Sequence, residues 1–290
     1  AEKVISMDDK PSVVLRRSAG TSMLNALDCV AKKEADVAVS CGTTGALMAL
    51  SMLKLRKAPG VDRPAIAVLW PSTSAHGYNI VLDVGADVRA DDHTMAEFAV
   101  MGAEYARLSF NIERPRVGLL NVGSEDNKGR PGIRKSSELV AQIAPQAGDL
   151  EYLGFVEGAD IVGDKVDVIV TDGFTGNIAL KTAEGTAMFI SNSLKEAFTK
   201  TPLSRIAAFI AYTSLRRLQK RIDPRNVNGG VFLGLGGAVV KSHGSADATG
   251  VSAAVKLAFR MGKTNFAKKV ADRVALLPEG RRSYEADGDS

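Results

Sequence analysis

The sequence predicts an α/β protein: three layers, α/β/α, around a mostly parallel sheet, with a projecting pair of helices. Two observations predict the layers and a third the projection. Short, continuously apolar runs recur along the chain, as expected of strands buried on both faces, the usual situation in parallel sheets covered by helices. Between them lie stretches with apolar residues at helical spacing, so strand and helix alternate. Residues 201–223 instead carry two apolar stripes beside a cluster of Arg and Lys, which suits helices standing away from a core.

In chain order, the predicted strands are DVAVSC (36–41), AIAVLW (65–70), NIVLDV (79–84), RVGLLNV (116–122), LEYLGFV (150–156) and VDVIVT (166–171), followed by a later pair, GVFLGL (230–235) and AVVKSH (238–243). HTMAEFAVMGAEYARLSF (93–110) sets Met95, Phe98, Ala99, Met101, Gly102 and Tyr105 near helical spacing. A further helix pattern follows residue 173. In 201–223, Pro202 suits a first helical turn. Leu203, Ile206 and Ile210 form one stripe with Phe209 beside it, and Leu215, Leu218 and Ile222 form another. On one straight helix these stripes would face different sides, which predicts a break near Thr213–Ser214. Residues 1–278 read as a single domain, and the polar residues 279–290 as a flexible tail.

The 290 residues, 45% hydrophobic and 24% charged, describe a soluble globular chain with a substantial core. No apolar run is long enough to span a bilayer, and no secretory h-region follows Ala1. The chain starts without Met and nearly inside an element, which predicts an upstream segment. Cys29 and Cys41 read as free thiols of a reducing cytoplasm. His76, His93 and His243 lack metal-ligand spacing, so no metal is expected. The net charge of +4 does not point to nucleic acid.

Five predicted strands run into Gly-rich turns: GTTGALMAL after 36–41, GADVRADD after 79–84, GSEDNKGRPG after 116–122, DGFTGNIALK after 166–171 and GSADATG after 238–243. Carboxyl ends of strands in open α/β sheets line a ligand crevice. Five such turns at one edge predict a floor of exposed backbone N–H groups. Gly lets backbone approach a ligand, Thr and Asn cap helices, and a helix start aims its N–H groups at an anion. The turn Asp172, Gly173, Phe174, Thr175, Gly176, Asn177, with Lys181 four residues further on, therefore predicts a site for phosphate or another oxyanion. The plainer reading, ordinary α/β turns with normal helix caps, stays open. Neither a Walker loop nor a Gly-x-Gly-x-x-Gly opening a helix is present.

SCGTTGALMA (40–49), LDVGADV (82–88), FAVMGAEYA (98–106), RVGLLNVGSEDNKG (116–129), VDVIVTDGFTGNIALKTAEG (166–185) and KSHGSAD (241–247) occur in the order found in one family. They resemble the bacterial acyl-carrier-protein:phosphate acyltransferases of phospholipid synthesis over roughly residues 1–278. The DGFTGN and NVGSEDNKG blocks are the specific ones. The resemblance implies transfer of a fatty acyl group from acyl carrier protein to inorganic phosphate, with no cofactor. It also implies a fold similar to isocitrate and isopropylmalate dehydrogenases, a homodimer, and a cytoplasmic protein held peripherally at the inner face of the cell membrane. The family's Asp-Ala-Met-Gly-Gly-Asp motif does not occur in this chain. Its Ser-Ala-Gly-Asn-Thr-Gly stands here as Ser40-Cys41-Gly42-Thr43-Thr44-Gly45, and its Gly-Ala-Asn as Gly85-Ala86-Asp87.

Phosphate is already a nucleophile at neutral pH, so the protein needs chiefly to position it and to stabilise an oxyanion. The expected phosphate contacts are the amides of Gly173, Thr175 and Gly176, the Thr175 hydroxyl, the Asn177 amide and the Lys181 ammonium. Gly42, Thr43, Thr44, Gly45, Asp87, Asp172 and Phe174 complete the expected binding residues. Asn228 is expected to add a polar contact. His243 reads either as general acid to the leaving thiolate or as a structural histidine. Asp83, Asp87 and Asp172 read either as ligand contacts or as turn-ordering acceptors. Leu203, Ile206, Phe209 and Ile210, with Arg216, Arg217, Lys220 and Arg221, suit dimer packing, an anionic membrane surface or an acidic carrier protein. Two other functions remain open: a short-chain phosphate acyltransferase acting on acyl-CoA, and a non-catalytic anion- or membrane-binding module.

Overall fold

The computed structural model describes residues 1–147, 150–222 and 229–276. All eight predicted apolar runs form strands: β1 (Val37–Ser40), β2 (Ala65–Pro71), β3 (Tyr78–Leu82), β4 (Arg116–Leu120), β5 (Glu151–Val156), β6 (Val168–Val170), β7 (Gly230–Leu233) and β8 (Ala238–Lys241). They make one eight-stranded sheet in the order β1-β8-β7-β2-β3-β6-β4-β5. Pairings β1/β8, β3/β6, β6/β4 and β4/β5 are parallel, whereas β8/β7, β7/β2 and β2/β3 are antiparallel.

This topology corrects one expectation. Going from β3 to β8 crosses three antiparallel pairings, an odd number, so β8 and its parallel neighbour β1 run against β3, β6, β4 and β5. The five Gly-rich turns therefore do not share one edge. Those after β3, β4 and β6 lie at one end of the strands, and those after β1 and β8 at the other.

Helices cover both faces. One face carries α4 (Asp92–Phe110), α5 (Pro131–Ala147), α9 (Ala248–Lys263) and α10 (Phe266–Val274), whose buried residues join those of the sheet in one core cluster. Helix α4 is buried at every position from Thr94 to Ala106 and forms the centre of that layer. The opposite face carries α1 (Pro11–Arg17), α2 (Ser22–Ala31), α3 (Thr44–Leu55) and part of α6 (Gly173–Thr199), whose Ala179, Leu180 and Ala183 pack on the second cluster. Ile80, Leu82, Val168 and Val170 face the first cluster, and Val81 and Ile169 the second. This alternation follows the period-2 geometry of a strand.

Helix α6 continues into α7 (Pro202–Ile210) and α8 (Tyr212–Ile222). Thr201 caps α7 through the Ser204 N–H, with Pro202 in the first turn. The break falls at Ala211, slightly before the predicted Thr213–Ser214. Leu203, Ile206, Phe209 and Ile210 are 76%, 59%, 83% and 80% exposed, so the apolar stripe of α7 is uncovered in the single chain. Arg216 and Arg217 are exposed on α8, while the side chains of Lys220 and Arg221 lie outside the description. Asn228 and the predicted tail at 279–290 lie outside the described residues. No helix among the described residues is long and apolar enough to cross a membrane.

Candidate active site

At the end of β3 the chain turns back over a buried carboxylate. Asp83 Oδ1 accepts N–H bonds from Ile66 (2.9 Å), Gly85 (3.1 Å) and Ala86 (3.0 Å). Its Oδ2 accepts from Ala86 (2.9 Å) and Asp87 (2.6 Å). Burial raises the Asp83 pKa, and these backbone bonds oppose the rise. Asp83 is thus a turn-ordering acceptor.

The start of α6 packs directly on this turn, and the packing explains the opening glycines of DGFTGN. A Cβ at Gly176 would stand 1.9 Å from the Asp83 carbonyl oxygen. One at Gly173 would stand 2.6 Å from Asp83 Oδ2 and 2.8 Å from the Asp87 carbonyl oxygen. Asn177 Nδ2 occupies the space beside Gly85, which has φ +136°.

The N–H groups of Gly173, Thr175 and Gly176 and the Thr175 hydroxyl, four of the donors expected to cradle phosphate here, bond within the chain. The Gly173 N–H donates to the Asp87 carbonyl (2.8 Å) and the Gly176 N–H to the Asp172 carbonyl (2.9 Å). Thr175 donates its N–H to Asp172 Oδ1 (2.8 Å) and its hydroxyl to Asp172 Oδ2 (2.9 Å). Asp172 is the helix cap, and Arg130 of the turn after β4 pairs with it at 3.0 Å. In the structure, helix capping, the first helical bond and contact with the β3 turn use the N–H groups of Gly173, Thr175 and Gly176. Phe174 points outward, 58% exposed. Asp87 orders its own turn through the Arg89 N–H (3.1 Å) and stands 3.7 Å from Arg63.

The other end of the sheet is built differently. β1 and β8 lie side by side and finish together, with the Ser242 N–H donating to the Ser40 carbonyl at 2.9 Å. Ser40 Oγ accepts the Gly42 N–H (3.2 Å), and Thr43 caps α3 through the Ala46 N–H (3.3 Å). Thr44 and Gly45 form the first turn of α3, with Gly45 against Pro11 and Gly42 against Met23. The half-buried Lys241 donates from Nζ to the Ser242 carbonyl. Burial holds the Lys241 pKa below its ordinary value; Cys41 works against that shift, and the Lys181 charge adds to it. His243 is exposed and its Nδ1 meets Ser245, 3.2 Å from the backbone nitrogen and 2.8 Å from Oγ.

Lys181 is linked to this end through its effect on Lys241. It lies eight residues beyond Gly173, about 12 Å along the helix axis, and its charge is felt at Lys241. It is 55% exposed and pairs with Glu184 at 2.7 Å.

The model of the fatty acid synthesis protein family matches residues 1–269. The chain is similar to a phosphate acyltransferase of Paracoccus denitrificans, 62% identical over 275 residues, covering 95% of this chain and 74% of that protein. It is also similar to one of Dinoroseobacter shibae, 61% identical over 283 residues, covering 98% and 73%. The chain belongs to the fatty acid synthesis protein family. Its fold is similar to the EutD phosphotransacetylase from Staphylococcus aureus, with TM-score 0.51 and 15% identity over 92% of this chain and 74% of that one. A phosphotransacetylase from Streptococcus pyogenes gives TM-score 0.52 and 18% identity over 87% and 67%.

In this family member the structure divides the expected site residues. Asp172, Gly173, Thr175, Gly176 and Asn177 form one packed unit with Asp83, Gly85 and Asp87. Gly42, Thr43, Thr44, Gly45 and His243 sit around the paired ends of β1 and β8. The sequence reading passed over Lys241. The available signal was a lysine closing an otherwise apolar strand, AVVK, directly before His243.

Proposed function

We propose that this chain transfers a fatty acyl group from a thioester to inorganic phosphate, producing acyl phosphate for phospholipid synthesis. The observation that carries this reading is identity of about three residues in five, over almost the whole chain, to phosphate acyltransferases. In the reaction a phosphate oxygen bonds to the thioester carbonyl carbon and the carbon–sulfur bond breaks. The proton of hydrogen phosphate ends on the departing thiolate, so no redox partner is required. Catalysis then rests on holding two reactants in line and stabilising the carbonyl oxyanion. Lys181 serves an anionic oxygen, and His243, exposed beside the β8 end, serves the proton transfer to sulfur.

The acyl donor in this reading is acyl carrier protein. The uncovered apolar stripe on α7, followed by the arginines of α8, supports a second copy of the chain as one partner and an anionic membrane surface as the other. Incubating the chain with carrier-protein thioester and phosphate should yield acyl phosphate. Turnover of the CoA thioester alone would assign the donor to acyl-CoA, and absence of phosphate-dependent cleavage with either would overturn the enzymatic reading. For α7, Ile206→Asp with Ile210→Asp should remove the chain from anionic liposomes while leaving it dimeric. A monomeric variant would make this stripe the dimer seam.

A further inference from the structure

The paired ends of β1 and β8 hold an ammonium without a carboxylate partner among the described residues. Lys241 is half-buried, and its one hydrogen bond goes to the neutral carbonyl of the next residue. Taking an ammonium out of water without a counterion is unfavourable. The charge of Lys181 on α6 adds to the burial that lowers the Lys241 pKa. Among the described residues one carboxylate, that of Glu184, pairs with Lys181. Cys41, directly after β1, opposes the lowering at Lys241. Two like charges with one counter-charge leave room for an anion.

The position suits a ligand as well as the charge does. Both strands finish here in parallel, the arrangement whose carboxyl ends receive ligands in α/β sheets. The same turn opens α3, where Thr43 takes the Ala46 N–H. The N–H groups of Thr44 and Gly45 meet no acceptor outside the helix among the described residues and extend the same positive field. A small dianion with several acceptor oxygens matches two ammoniums and two amides. At the opposite end of the sheet, by contrast, the glycine turn of α6 donates inward.

We infer that Lys241, paired with Lys181 and supported by the α3 start, is the phosphate-binding cation of this enzyme. The assignment rests on the phosphate acyl transfer proposed above, which supplies inorganic phosphate as the ligand. Lys241 is then a catalytic residue in the strict sense, because it touches the nucleophile.

The test uses the full chain and inorganic phosphate. Lysine acylation by a small reagent, followed by mass spectrometry, should show Lys241 and Lys181 protected by saturating phosphate, with the exposed Lys256 unaffected. Lys241→Met should raise the Kd and KM for phosphate by about 10- to 100-fold, with the thioester KM within about twofold; Lys241→Arg should restore most of the loss. Equal labelling of Lys241 with and without phosphate would overturn the inference, as would a folded Lys241→Met variant with unchanged phosphate affinity. A rise in thioester KM as large as that in phosphate KM would reduce Lys241 to a structural role. The labelling reads the wild type, so it decides the matter even where the Met variant fails to fold. Protection of Lys241 without acyl phosphate formation would sink the proposed reaction and keep the anion site; acyl phosphate formation without protection would sink the site alone.

Discussion

At one end of the sheet, β3 and β6 run into turns at residues 83–87 and 172–177 whose carboxylates are met from within the chain: Asp83 takes four backbone N–H donors, and Asp172 takes two donors from Thr175. At the other end, β1 and β8 run into turns around an ammonium that, among the described residues, bonds to a neutral carbonyl alone. Both ends carry the same small, polar, Gly-rich composition. The difference is whether the groups answer one another. Satisfied groups hold a shape, whereas an uncompensated charge beside unengaged amides is free to hold a ligand, at some loss of stability. The glycine-rich turn most conspicuous in the sequence is bonded largely within the chain, and the less conspicuous lysine is the ligand contact proposed above.

The comparison breaks most visibly at Gly176. Gly176→Ala puts a methyl group 1.9 Å from the Asp83 carbonyl oxygen, a backbone atom that cannot step aside. It should destabilise the protein by about 3 kcal/mol, read as a lower urea midpoint, and detach the start of α6 from the β3 turn. Gly185 of the same helix has nothing within 4 Å of the added methyl group, so Gly185→Ala should instead stabilise by about 0.5–1 kcal/mol. Equal effects at the two positions would refute the packing account.

Next in size is Asp83→Asn. The amide keeps one acceptor oxygen and sets an NH2 group against a donor that Asp83 Oδ2 now receives, the Asp87 N–H at 2.6 Å. A loss of about 2 kcal/mol is expected from an unmet buried donor, measured by denaturant unfolding. An unchanged midpoint would mean that the turn does not depend on this carboxylate.

The smallest effect sharpens the other side of the comparison. The Lys241 pKa is lowered in the folded chain from an ordinary 10.5, so the unfolded chain binds the proton more readily. The resulting loss of stability is fully present below the folded pKa and disappears as pH rises through it towards the unfolded value. Without phosphate, Lys241→Met should therefore be at least as stable as the wild type near neutral pH, with its advantage shrinking towards pH 10.5. Phosphate should raise the wild-type melting temperature and leave that of the Met variant nearly unmoved. An advantage that grows with pH would contradict the desolvated ammonium.

Much was determined by the sequence itself. Each of the eight strands follows from a local apolar run, and α4, α6 and the α7–α8 pair follow from helical spacing with Asp91, Asp172, Thr201 and Pro202 at their starts. These signals are local: a strand or helix announces itself within about ten residues through side-chain period and capping chemistry. Even the break between α7 and α8 was legible to within a few residues, because two stripes cannot share one straight helix. Only the tertiary structure decided which way each strand runs. The three antiparallel pairings between β3 and β8 place the turns at 41–45 and 242–247 opposite those at 83–87 and 172–177. It also decided that Gly173 donates to Asp87, a contact between residues 86 positions apart along the chain. A repeat of two or of 3.6 residues carries no record of strand direction or of distant partners, which are settled when the sheet closes its hydrogen bonds and buries both faces.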